Sequence, residues 1–150
     1  MCFNDVYAKV QNCLEYDIFK ILQQEKIDIV RDSDLCYGKP ARLMSYQNKS
    51  IIFLQDGLSD QEERNLILHE LGHFYFDSES AYKNSRIEES NANLFMCLYI
   101  LKNDIWDYSD FHCYLINEGV DTKIALQINE MIYQNKMAKK YGDAWLIMEA

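Results

Sequence analysis

The chain has 150 residues, 49 % of them hydrophobic, with 11 tyrosines and a single proline. That is enough for one globular domain with its own core, and it excludes a disordered chain or a disulfide-stapled miniature. The formal net charge of −9 argues against a surface that tracks a phosphate backbone. It is compatible with a basic protein partner and serves solubility equally well.

Five cysteines (Cys2, Cys13, Cys36, Cys97, Cys113) are widely spaced with no C-x-x-C pair, the pattern of reduced thiols in a cytosol. Met1 to Asp5 lacks the basic-then-apolar layout of a signal peptide. No apolar run approaches the ~18 residues of a membrane span. A soluble, cytoplasmic protein with no membrane contact is expected.

From Asn4 to about Lys26, Val6, Val10, Cys13, Leu14, Ile18, Ile21 and Leu22 follow 3–4 spacing and predict one amphipathic helix. A single helix leaves no room for a helix-turn-helix module before residue 27, and direct nucleic-acid binding is not expected. Ile27 to Val30 reads as a short strand and Arg31 to Asp34 as a turn, with Leu35 to Tyr37 a second strand or loop. Ala41–Tyr46 and Ser50–Leu54 predict a hairpin around Gln47-Asn48-Lys49. The fold class is α+β, a small, mostly antiparallel sheet packed on helices. Its edge could capture an extended peptide or simply lie under a loop.

Ser59-Asp-Gln-Glu62 has capping-box spacing and opens a helix running to Phe76 or Asp77, with Leu66, Ile67, Leu71 and Phe74 at helical spacing. A polar connector follows to Lys83. Ser85-Arg-Ile-Glu88 predicts a second capping box, opening a helix that turns Ala92, Phe95, Met96, Leu98, Tyr99 and Leu101 inward. After a loop from Lys102 to Asp107, a short helix spans Ser109 to about Glu118 and stops at Gly119. Asp121 caps a last helix from Thr122 to about Lys140, with Ile124, Ile128, Met131 and Ile132 as its apolar stripe. Trp145-Leu-Ile-Met148 is an apolar tail that either packs back or meets a partner, packing being the better reading. The whole reads as one domain: an N-terminal helix (1–26), a sheet with the principal helices (27–101) and C-terminal helices with the tail (102–150).

Chemistry concentrates at His69-Glu70-Leu71-Gly72-His73, the H-E-x-x-H pattern, which holds two of the three histidines in the chain. Residues four apart share one helical face, so both imidazoles can reach one ion, and Glu70 can take a proton from a water beside it. A catalytic zinc needs a third protein ligand, and the next helix offers Glu88 and Glu89. Glu89 has Asn93 one turn beyond it, whose amide oxygen could accept a ring N–H from a ligating histidine. Glu88 points about 100° away and is spoken for by its capping box.

Glu89-Ser-Asn-Ala-Asn-Leu-Phe-Met96 resembles the E-x-x-A-N-x-F-A segment of the ImmA/IrrE metallopeptidases. Ile51 to His73 resembles their strand, turn and H-E-L-G-H helix. The likeness holds from about Ile27 to Leu101. It departs at Met96, where the family carries alanine, and at Tyr99-Ile-Leu-Lys102, which lacks the family's proline. The resemblance implies a zincin-like, gluzincin-type fold, one Zn²⁺ held by His69, His73 and Glu89, and Glu70 as catalytic glutamate. It also implies an intracellular endopeptidase that cleaves a helix-turn-helix repressor of a phage or mobile element. The alternative is a regulator of the same fold that sequesters a repressor without cutting it, or one half of a toxin–antitoxin-like pair. His112, Tyr75 and Tyr46 are candidates for stabilising the oxyanion. Cys97, on the Glu89 helix, is a candidate redox-sensitive thiol, with a buried, inert role the simpler reading.

Overall fold

A computed structural model of the chain describes residues 3–77, 85–102 and 111–142. The tail from Trp145, most of the expected connector and loop, the proposed helix start at Ser109, and Cys2 lie outside the described residues. Element order is α1 (Phe3–Cys13), α2 (Ile18–Gln24), β1 (Ile27–Arg31), β2 (Ala41–Tyr46), β3 (Lys49–Leu54), α3 (Asp60–Phe76), α4 (Ser85–Leu101), α5 (His112–Asn117) and α6 (Thr122–Tyr141). The class is α+β, as expected.

The N-terminal helix is two helices. The apolar period runs unbroken through Leu14 and Ile18, but Asp17 takes an extended conformation and its carboxylate accepts a hydrogen bond from the Lys20 N–H at 2.8 Å. That cap starts a new helix. Periodicity alone cannot see it, because both halves bury their stripe: Val6, Val10 and Cys13 from α1, Ile21 and Leu22 from α2. The premise of one helix before residue 27 therefore falls. Both helices belong to the common core, α1 packed on α4 and α2 on β1.

The sheet is mixed rather than mostly antiparallel. β3 lies in the centre, parallel to β1 and antiparallel to β2. Between β1 and β2, Ser33–Cys36 forms a 3-10 turn capped by Asp32, where a strand or loop was expected. This short crossover carries the chain past the place β3 then fills. The hairpin turns at Gln47 and Asn48, both at positive φ (49° and 65°), as a two-residue loop of matching twist requires. Ile52 and Leu54 enter the core, while Phe53, on the opposite face, lies under the Arg42 guanidinium. β2 is an edge strand.

Ser59 caps α3 as a complete capping box with Glu62. Ser85 is already helical in α4, so it is not the N-cap residue expected there. Asp121 caps α6 through the Lys123 and Ile124 N–H groups. Gly119, at φ 90°, follows α5. α3 and α4 make the most extensive contact between any two described elements. Buried Leu68, Leu71, Leu94, Phe95 and Leu98 lie in one core cluster with residues from every other described helix and from the sheet.

Candidate metal centre

Two helices build the site, and a glycine sets their spacing. A Cβ on Gly72 would stand 2.6 Å from Ala92 Cα and 3.0 Å from Ala92 O, so only glycine lets α3 and α4 approach this closely. Three residues before Ala92, Glu89 thereby comes within reach of the histidines. The helices run antiparallel, with Gly72 against Ala92, His73 against Glu89 and His69 against Asn93.

The two Nε2 atoms of His69 and His73 are 3.2 Å apart. Glu89 offers Oε1 at 2.8 Å from His73 Nε2 and Oε2 at 3.3 Å from His69 Nε2. Donors bound about 2.0–2.1 Å from one ion at tetrahedral angles would stand roughly 3.3 Å from each other. The three side chains therefore fit a single small cation as they stand, and could hold a metal ion. Both imidazoles are sunk (18 % and 14 % exposed) while Glu89 is 57 % exposed, which leaves the open side of the site toward solvent.

Sequence reasoning missed Asp77. Both its carboxylate oxygens lie against His73 Nδ1, at 2.8 and 2.9 Å. An Nδ1–H donated to Asp77 orients the ring so that Nε2 faces Glu89 and His69, where a metal ion could take the place of a proton. Its signal in the sequence is an acid one turn past His73 on the same face, at the very end of the helix. Asn93 does reach His69 with its side chain, and its amide oxygen is buried with no hydrogen-bond partner. A partnerless oxygen on a side chain beside His69 suits the role of acceptor for its ring N–H.

Burial holds the His69 ring below its ordinary pKa, with the Glu89 carboxylate pulling the other way. Such a ring is neutral near pH 7, as a ligand must be. Burial works against a charged His73 too, but there the Asp77 hydrogen bond and the carboxylates of Asp77, Glu89 and Glu70 outweigh it and raise the pKa. Glu70 is pushed above the usual carboxylate range, first by burial and then by Glu89 and Asp77, against the pull of His73.

A cleft of about 820 Å³ opens over the centre. Its floor is one face of α3 (Glu62, Asn65, Leu66, His69, Glu70, His73), with Glu89, Asn93 and Met96 from α4 beside it. One wall is the start of edge strand β2 with Lys39 and Pro40 before it, and the other is the α5–α6 corner from Gly119 to Asp121.

None of the three oxyanion candidates lines this cleft. Tyr75 lies on the core side, its hydroxyl 4.0 Å from Cys13 Sγ and its ring against Phe95. Tyr46 is 72 % exposed at the hairpin end of β2. His112 begins α5 with Nε2 3.5 Å from the Cys113 sulfur. Glu88 is separate from the cluster that Glu89 joins. Cys97 is fully buried, and burial pushes its thiol up to about 12, which leaves it inert.

A family model, Peptidase_M78, described as the IrrE N-terminal-like domain, matches residues 17–116. Among curated proteins and among solved structures nothing matches.

Proposed function

The chain belongs to the IrrE N-terminal-like peptidase family, and on that premise we propose that it is a zinc-dependent, zincin-like endopeptidase of the cytoplasm. The observation that supports this most is the convergence of His69, His73 and Glu89 donor atoms beside Glu70 in a cleft bordered by the edge strand β2. Zinc, when held by these three side chains, supplies Lewis acidity for polarising a scissile carbonyl and acidifying a water.

The rest is done by the chain itself. His69 and His73 offer their Nε2 atoms, the His73 ring being oriented by Asp77, and metal binding would displace the proton that the surrounding carboxylates favour on His73. Glu70 takes a proton on its carboxylate from the attacking water and returns it to the leaving amine. A raised Glu70 pKa suits that double duty, because the protonated form must persist long enough to act as an acid. The β2 edge, with Ala41, Arg42 and Leu43 in the cleft, offers main-chain groups along which an extended peptide can lie.

The substrate we propose is a separate helix-turn-helix repressor of a phage or mobile element, whose cleavage releases transcription. The excess of acidic residues suits encounter with a basic DNA-binding protein. Incubation with a repressor encoded beside it, plus zinc, is expected to give one defined fragment pair, absent with Glu70→Gln or with chelator. Release of the repressor from DNA without fragments, unchanged by Glu70→Gln, would replace this reading with a non-cleaving regulator.

A further inference from the structure

The cleft is chemically divided along α3, and one half carries more than the metal centre uses. On the N-terminal side of His69 it is lined by Leu66, Met96, Val120 and Ile124, together with Glu62, Asn65 and Asp121. Each of these polar side chains makes at least one bond within the fold. Glu62 accepts from the Ser59 N–H in the capping box. Asp121 accepts from the Lys123 and Ile124 N–H groups. Asn65 donates to the Glu118 carbonyl at 2.8 Å and accepts from Arg64 Nε at 3.1 Å. Leu66, Met96, Val120 and Ile124 supply the apolar surface at this end.

Those same bonds fix the wall. Arg64 also donates to the Glu118 carbonyl at 3.0 Å and pairs with its carboxylate at 3.1 Å, so two adjacent residues of α3 grip the end of α5. Gly119 takes a φ of 90°, which favours glycine, and a Cβ there would stand 2.6 Å from Gln61 Oε1, which can swing aside, and 3.0 Å from Asn65 Nδ2. Asn65 lies one turn before His69. The corner that carries Val120 and leads to Ile124 is therefore registered against the metal-binding face by a buried side chain on that face.

We propose that Leu66, Met96, Val120 and Ile124 form the specificity pocket for a bulky apolar side chain of the substrate, and that Asn65 is the residue that positions its wall. This rests on the peptidase reading above. Leu66 precedes His69 and Glu70 by three and four residues, about 5 Å along the helix. An extended peptide advances about 3.3 Å per residue, so the side chain received is within one or two residues of the scissile bond.

The test uses zinc-loaded protein and hydroxamic acids that differ only in their side chain. Acetohydroxamic acid, 4-methylpentanohydroxamic acid and a carboxylate-bearing analogue are titrated by calorimetry. The branched apolar compound is expected to bind about tenfold tighter than acetohydroxamic acid, or better, and the acidic one no tighter. Ile124→Asp and Asn65→Ala are each expected to bring that ratio close to one while zinc stoichiometry stays that of the wild type. Ile124 is only partly buried, so its replacement tests the pocket even if Asn65→Ala folds poorly. A wild-type ratio near one, or a ratio that survives both substitutions, overturns the pocket and leaves the peptidase reading standing. Failure to bind zinc or acetohydroxamic acid at all overturns the metal centre, and the pocket with it.

Discussion

Replacing Gly72 by alanine adds one methyl group at the point where the two metal-binding helices touch. The new Cβ would lie 2.6 Å from Ala92 Cα, about 1 Å inside ordinary contact, and its neighbours are backbone that cannot swing aside. Alanine gains about 1 kcal/mol of helix propensity over glycine, whereas overpacking of this kind costs about 1–3 kcal/mol. With backbone as the obstacle the cost lies toward the upper end, for a net loss of about 1–2 kcal/mol, or roughly 3–8 °C in Tm. Relief comes by moving α4 outward, and Glu89 moves with it. Metal–ligand distances tolerate only about 0.2 Å, so zinc affinity should fall by about tenfold or more, a larger effect than on the fold. Thermal denaturation and chelator-competition titration read the two separately. Wild-type zinc affinity in a folded Gly72→Ala protein would refute the role given to the glycine.

Asp77→Asn keeps the shape but weakens the hold on His73 Nδ1, and zinc affinity should fall about 10–100-fold with little change in the secondary structure seen by circular dichroism. Tyr46→Phe, Tyr75→Phe and His112→Gln should each change repressor cleavage by no more than about twofold, because none of the three side chains lines the cleft. On the outer face, Arg31 Nε and NH2 donate to the two Glu63 oxygens at 2.7 and 2.8 Å and hold that carboxyl below its ordinary 4.5. A depressed folded-state pKa stabilises above the unfolded value and loses that contribution as pH falls through the folded one. Arg31→Met should therefore cost about 0.5 kcal/mol in urea denaturation at pH 7, and the difference should fade below about pH 4.

Legibility in the sequence follows the range of the interaction. Ser59 and Glu62 are three residues apart and their capping box forms as read. The histidines are four apart, and their shared face needs nothing beyond the helix that carries them. Glu89 was reachable because a second helix with a resembling sequence narrowed the choice from Glu88. The features that escaped depend on which element packs where. Asp17 breaks a helix whose apolar period continues through the break, so pattern gives no warning. The β1–β3 pairing makes the sheet mixed, and nothing local distinguishes a parallel neighbour from an antiparallel one. Gly72 is a helix-interior glycine whose purpose is visible only once Ala92 lies against it. Asn65, Gly119 and Val120 become cleft residues only when the α5–α6 corner closes over α3. Residue type suggested the tyrosines and His112 as oxyanion candidates, and none of them is among the described residues that line the cleft.

Everything else rests on three ligands meeting at one ion, and X-ray absorption at the zinc edge of the loaded protein tests that most directly. The spectrum should show two imidazole nitrogens and carboxylate oxygen at about 2.0–2.2 Å with no sulfur, and the carboxylate contribution should change in Glu89→Ala. A sulfur shell near 2.3 Å, or a spectrum indifferent to Glu89→Ala, would contradict the centre described here.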